Sequence, residues 1–360
     1  WAKGGAGLLI TGNVMIDRRA LGEPGNVALE DDRALDAFSA WANTVDPQTS
    51  IMWMQLNHPG KQSPSLLSKV PVAPSAVPLG GPVGKGFNTP RALTDGEIRE
   101  LIDRFATAAA LAERAGFHGV QIHAAHGYLV SQFLSPHHNR RDDDWGGTAE
   151  KRRRFLLACY EAIREKTGSD FSVSVKLNSA DFQRGGFSEE ESLEVVEALD
   201  QAGVDLIEIS GGTYEKPAMV GQVRASTAAR EAYFLAFAQK ARETTDAPLA
   251  VTGGFRSSAG MQAALDSGAT DLIGLARPIA VYPDLPKSLF DDAGFVCTLP
   301  KPSTGILGFD KVLMLDVTWY EWQIARMGNG LEPNPDAGAW GTVASLLKTG
   351  GTAVFRKRRA

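Results

Sequence analysis

The chain has 360 residues, 43% hydrophobic and 22% charged, the balance of a globular protein and length enough for two average domains or one α/β barrel with insertions. Its net charge of −5 argues against a general nucleic-acid or membrane-surface partner, and two cysteines, Cys159 and Cys297, cannot build a disulfide framework or a cysteine-rich cluster site. No apolar run approaches the ~20 residues that span a bilayer and no signal peptide is recognisable, so reduced thiols and a cytoplasmic location are expected.

Short apolar runs alternate with long amphipathic ones. Gly7–Thr11 reads as a strand, Leu29–Val45 as a helix and Ile51–Leu56 as a second strand. Lys61–Ala92 then carries Pro64, Pro71, Pro74, Pro78, Pro82 and Pro90. It cannot be helical and reads as an excursion on the rim above the sheet. Asp95–Ala115 is a helix opened by a capping box, Thr94 to Glu97, in which each side chain satisfies a free backbone N–H. Gly119–His123 is a strand, Thr148–Lys166 a helix and Phe171–Asn178 a strand. Glu189–Ala202 is a helix with a second capping box, Ser188 to Glu191, followed by the strand Leu206–Ser210. The helix Ala228–Thr244, the strand Leu249–Thr252, the helix Ser258–Ser267 and the strand Leu272–Leu275 complete the alternation. Residues 280–360 read as a C-terminal helical extension, with helices near Lys311–Met327 and Trp340–Lys348.

Strands this short and this continuously apolar belong to a parallel sheet covered on both faces. Strict alternation with helices makes a parallel α/β fold, taken as a single domain over residues 1–360. Seven strands are counted. A closed barrel needs eight and an open doubly wound sheet has no such requirement, so the count alone leaves both. If the fold is a barrel, its first strand is missing from this chain. Trp1 runs through Gly4-Gly5 directly into the first visible strand, and an N-terminal truncation is the expectation. The gap then falls between the strands at Gly7 and Leu272.

Both architectures bind ligands at the carboxyl ends of their strands. The third strand ends in His123-Ala124-Ala125-His126-Gly127-Tyr128. Two histidines three apart are compatible with metal ligands, but the helical spacing of four and a third carboxylate ligand are missing, and His137-His138 adds to the ambiguity. Buried structural histidines are a second reading. The third is an organic oxyanion site, in which neutral imidazole N–H groups polarise a carbonyl and a tyrosine supplies a proton. Gln55, at the end of the second strand, offers a donor and an acceptor to a flavin-like edge, or is a plain polar strand end. Lys176 sits inside an apolar strand and needs either a structural carboxylate or an electron-rich cofactor. Gly253-Gly254 and Ala276-Arg277 follow the last two strands, where barrels commonly bind phosphate.

These residues resemble the old yellow enzyme family over nearly the whole chain. The resemblance is carried by His123-Ala124-Ala125-His126-Gly127-Tyr128-Leu129, then Gln132-Phe133-Leu134-Ser135-Pro136, then Asn139-Arg140-Arg141-Asp142-Asp143-Asp144-Trp145-Gly146-Gly147. Gly7-Leu8-Leu9-Ile10-Thr11, Gln55-Leu56, Val175-Lys176-Leu177, Ser210-Gly211-Gly212 and the two terminal glycine turns follow in family order. The resemblance implies a TIM (β/α)8 barrel holding FMN and reduced by NADH or NADPH. It implies that Gln55 bonds the flavin pyrimidine ring and that Lys176, where the family often has arginine, lies near flavin N1 and O2. Gly253, Gly254, Ala276 and Arg277 are implied to hold the phosphate, with Asn13 near the flavin edge. His123 and His126 are implied to bind the carbonyl or nitro oxygen of an activated alkene. Tyr128 is implied to protonate its Cα after flavin N5 gives hydride to Cβ. No metal is implied at this site. Two other readings compete: a non-catalytic truncated fragment, and another FMN barrel dehydrogenase. A homo-oligomer is compatible with the sequence.

Overall fold

The computed structural model describes residues 1–216 and 231–355. The two-residue strands Val14–Met15 and Val27–Ala28 join one parallel sheet with seven longer strands: β1 (Leu8–Ile10), β2 (Ile51–Asn57), β3 (Gly119–Ala124), β4 (Ser172–Asn178), β5 (Leu206–Ser210), β6 (Leu249–Thr252) and β7 (Leu272–Gly274). Each of the seven pairs with the next in chain order. Among the described residues no ladder joins β1 to β7.

The sheet nevertheless curls into a barrel wall. Trp53, Leu206 and Ala250, from β2, β5 and β6, form one interior cluster, and Leu8 and Ile10 of β1 and Leu272 of β7 pack on it. Strands at opposite ends of the ladder therefore share one plug of side chains, which an open doubly wound sheet does not allow. On that side the residues before β1 lie against two short helices after β7. Trp1 Nε1 donates to Ile279 O at 2.9 Å, and Lys287 N donates to Gly4 O at 3.1 Å.

The helices cover the outside: α1 (Leu35–Ala42), α2 (Asp95–Arg114), α3 (Leu129–Leu134), α4 (Ala149–Lys166), α5 (Glu189–Gln201), α6 (Leu235–Arg242) and α7 (Ser258–Asp266). Both expected capping boxes are present, at Thr94–Glu97 and Ser188–Glu191. Beyond β7 come α8 (Arg277–Val281), α9 (Leu285–Asp291), α10 (Leu307–Val312), α11 (Leu315–Gly328) and α12 (Ala339–Phe355). None of the described helices is long and apolar enough to cross a membrane.

Three helices differ from expectation. The helix expected from Leu29 begins at Leu35, because Val27–Ala28 pairs with Val14–Met15 and Asp31 caps a 3-10 turn instead. The helix expected from Ala228 is seen from Leu235, and residues 228–230 lie outside the described ones. The helix expected at Lys311–Met327 is split in two, with Met314 left-handed at φ 50°. Between Lys61 and Ala92 the chain makes 3-10 turns and one short parallel ladder, Val72–Ala73 with Arg91–Ala92.

One irregularity aims a side chain. Leu8–Ile10 pairs with Ile51–Trp53, and Val14–Met15 pairs with Leu56–Asn57. Thr11, Gly12 and Asn13 thus oppose only Met54 and Gln55, so the first strand carries one extra residue. This is a bulge, which bends a strand and re-aims its side chains. Thr11 Oγ1 secures it by accepting Gln55 N–H at 3.0 Å.

Candidate active site

Along β2 to β6 alternate residues point into the barrel. Above the apolar plug the inward positions turn polar and bond to one another. Gln55 Nε2 donates to Gln121 Oε1 at 2.7 Å, and Gln121 Nε2 donates to Glu208 at 2.9 Å. Glu208 also accepts from Lys176 Nζ and Thr252 Oγ1, both at 2.6 Å. Of the two alternative partners for Lys176, a structural carboxylate or an electron-rich cofactor, the structure supplies the carboxylate. Burial pushes the Glu208 carboxyl up, but the Lys176 charge and these hydrogen bonds outweigh it and hold the group below its ordinary value.

The loop after β3 carries the imidazoles and the phenol. His126 and Gly127 are both left-handed, at φ 61° and 77°, a costly backbone for histidine that its surroundings fix. His126 N donates to Asn178 Oδ1 at 3.1 Å, and Gln62 Nε2 donates to His126 O at 3.2 Å. A Cβ on residue 127 would crowd Gln62 Oε1 at 2.6 Å and Thr213 Cβ at 3.3 Å, and the left-handed backbone there favours glycine in any case. The tight turn brings His123, His126 and Tyr128 together. The His123 ring lies 5.1 Å from that of His126 and 4.8 Å from that of Tyr128, edge-on in both cases.

His123 Nδ1 accepts the backbone N–H of Ala125 at 3.2 Å. A backbone amide can only donate, so the proton of a neutral His123 is on Nε2. Burial, then the nearby His126 and Lys176, hold His123 well below its ordinary value. His126 Nε2 pairs with Ser210 Oγ at 2.8 Å, and burial, then Lys176, bring its pKa down to about 3. Both rings are neutral hydrogen-bond donors near neutral pH.

Tyr128 is buried. Its hydroxyl pairs with that of Tyr214 at 2.9 Å and accepts from Asn13 Nδ2 at 3.4 Å. Burial pushes its pKa up to about 12, while the Tyr214 and Asn13 hydrogen bonds work the other way. Asn13 reaches it from the strand bulge. A cavity of about 340 Å³ opens beside Asn13, walled partly by Glu23, Trp41 and Glu321 of α11.

Gly253 and Gly254 are at φ 133° and 89°, a backbone that favours glycine. Arg256 N and Ser257 N, next in the same turn, donate to the Glu231 carboxylate at 2.9 and 3.1 Å. The turn before α7 therefore already holds an anionic group. The Tyr233 ring packs on it, 2.7 Å from where a Cβ of Gly254 would be. Ala276-Arg277 opens α8 after the neighbouring strand, and the Arg277 guanidinium lies 5.9 Å from the Tyr320 ring centre. Both side-chain polar atoms of Asn57, at the inward end of β2, and Asn13 Oδ1 are buried without a protein partner. Orphans of this kind mark a site for a polar ligand.

The sequence reading missed Gln121, Glu208 and Tyr214. The first two stand as lone polar residues inside apolar strands, as Lys176 does, and that signal was legible. Tyr214 meets Tyr128 across 86 residues, which no local pattern announces.

The buried imidazoles make stability depend on acid. Unfolded, they take protons near 6.5; folded, His58 does so only near 4 and His126 near 3. Between those values the unfolded chain binds more protons, so stability falls as pH drops from 6.5 toward 3. The thermal midpoint should decline over that window, less steeply in His126→Asn. An equal slope in the variant contradicts this.

A family model described as the NADH:flavin oxidoreductase / NADH oxidase family matches residues 1–292. The NADH-dependent flavin oxidoreductase iliE of Hypocrea jecorina (strain QM6a) is 42% identical over 315 residues, covering 80% of this chain and 78% of that protein. The structure is similar to a 2-naphthoyl-CoA reductase complexed with 2-naphthoyl-CoA, with a TM-score of 0.75 at 27% identity over 81% of this chain and 45% of that one. It is also similar to the old yellow enzyme homologue from Zymomonas mobilis, with a TM-score of 0.67 at 29% identity over 81% of both chains.

Proposed function

The chain belongs to the NADH:flavin oxidoreductase / NADH oxidase family, FMN-dependent oxidoreductases of the old yellow enzyme type that use NAD(P)H, and from that premise we propose that it reduces activated C=C bonds. Enones, enals and nitroalkenes are the substrate class. The observation that carries the reading is the fixed tautomer of His123, an Nε2–H donor edge-on to a buried tyrosine.

The residues present fit FMN. Orphaned amide atoms of Asn57 and Asn13 in the upper barrel suit a polar heterocycle, and a turn that already holds a carboxylate suits a phosphate. Gln55 and Lys176 would hold the flavin ring system, with Asn13 at its edge. Gly253, Gly254, Ala276 and Arg277 would hold the phosphate. Bound FMN supplies hydride that it has taken from NADH or NADPH.

The protein's own part is polarisation and proton delivery. His123 and His126, both neutral, donate hydrogen bonds to the carbonyl or nitro oxygen, where negative charge grows as Cβ becomes saturated. Tyr128 gives its proton to Cα. Asn13 Nδ2 and the Tyr214 hydroxyl then bond the phenolate that remains, offsetting its burial. A cytoplasmic location accompanies this reading, supported by Cys159 and Cys297 being free thiols.

The test is anaerobic. The FMN-loaded protein, reduced with NADH or NADPH, is mixed with a cyclic enone, and flavin reoxidation and saturated product are followed together. One saturated product per flavin is expected. His126→Ala should lower the rate about 10²–10³-fold and weaken binding of phenol-like ligands, as loss of one oxyanion donor does. A reduced enzyme that never forms saturated product overturns the reading, and a chain that retains no FMN favours the inert-fragment alternative.

A further inference from the structure

On the same rim two imidazoles and a carboxylate converge outside the residues assigned above. His137 and His138 follow α3, and Glu215 follows Tyr214 in the segment after β5. One ligand atom from each lies within 4.8 Å of the others. The His138 and Glu215 side chains are only 3% and 7% exposed, and Nε2 stands 3.6 Å from Oε2. That is too long for a hydrogen bond, and Glu215 Oε2 is buried with no partner. The other Glu215 oxygen accepts Gly80 N–H, which pins the carboxylate. His138 Nδ1 is engaged by Lys61 Nζ at 2.9 Å, which turns Nε2 toward Glu215; a charged Lys61 leaves the ring proton on Nε2, so ligation there requires Lys61 to give up a proton and accept Nδ1–H instead. A buried carboxylate oxygen and an imidazole nitrogen that face each other without bonding leave room for a group between them.

We propose that His137, His138 and Glu215 form a site for a divalent first-row transition cation such as Zn²⁺. Two imidazoles and one carboxylate are the ligand set that borderline cations take while keeping a position open for water. Ligand atoms about 2.0–2.1 Å from a tetrahedral zinc stand about 3.4 Å apart. The 3.6 Å between His138 and Glu215 needs only a small adjustment. Lys61 opposes a cation here, as Arg140 does from further off, and the Lys61 Nζ also donates to Pro78 O at 3.2 Å. A bound cation would tie the segment after β5 to the loop after α3. Both adjoin Tyr128, one through Tyr214 and the other through α3 itself.

The experiment uses the FMN-loaded chain, stripped with a chelator and titrated with Zn²⁺ by calorimetry. One saturable Zn²⁺ per chain is expected. Glu215→Gln and His138→Ala should each weaken it at least about 10-fold. Lys61→Gln keeps a polar group but removes the opposing charge, and should tighten it. Co²⁺ substitution should give ligand-field bands at longer wavelength than the flavin, altered in Glu215→Gln. Should His138→Ala not fold, the near-isosteric Glu215→Gln decides alone. Zn²⁺ binding that is absent, that Glu215→Gln leaves unweakened, or that Lys61→Gln abolishes overturns the site.

Discussion

Tyr128→Phe is expected to slow enone reduction about 10²–10⁴-fold while FMN stays bound, the usual worth of a positioned proton donor. Its hydroxyl is buried between Tyr214 and Asn13, with no charged partner to help it ionise. Burial holds the proton on oxygen up to about pH 12, so the acid is loaded throughout the working range. The phenolate formed on transfer keeps two donors at hand. The variant loses a hydroxyl and leaves the ring's edge-on packing against His123 in place. The size of the loss should depend on substrate. An enone needs its Cα proton during or soon after hydride transfer, whereas a nitroalkene yields a nitronate stable enough to be released and protonated in water. Stopped-flow reoxidation of the reduced enzyme with each class makes the comparison. Equal losses for both, or no loss for the enone, remove Tyr128 from the acid role. Loss of flavin would instead make it a structural residue of the loop.

Glu208→Ala is expected to cost about 3–5 kcal/mol, because it leaves the Lys176 ammonium buried without its counter-charge. It also strips acceptors from Thr252 and Gln121, and so disturbs the chain of bonds that ends at Gln55. Lys176 is 13% exposed and Glu208 7%, so water can replace little of what is removed. The double change Lys176→Met with Glu208→Leu should be milder than Glu208→Ala alone, since neither charge then needs solvating. Urea unfolding of the three proteins measures this. A double variant less stable than the single one contradicts it.

The strands were legible because a buried parallel strand is a short apolar run, and the long helices because Thr94–Glu97 and Ser188–Glu191 write their starts in side-chain chemistry. His123, His126 and Tyr128 were legible as a cluster because a single turn places them. What joins them to the rest was not. Glu208 reaches Lys176 across 32 residues and Gln121 across 87, and partner choice at that range depends on barrel register. α3 escaped notice because its six residues are all buried and show no amphipathic period. The start of α1 was misplaced because Leu29 is still held by the neighbouring strand, its N–H bonded to Met15 O, and the helix opens only after the 3-10 turn that Asp31 caps.

The bulge at Thr11–Asn13 carries a lesson of another kind. Replacing Asn13 would delete one weak bond to the Tyr128 hydroxyl. Deleting Gly12 would remove the surplus residue, bring the two halves of the strand into one register with β2 and send Asn13 to the opposite face. At this point the protein stores its instruction as a count, and spelling matters less. The surroundings of the Tyr128 hydroxyl are therefore more vulnerable to the loss of Gly12 than to most amino-acid exchanges beside it.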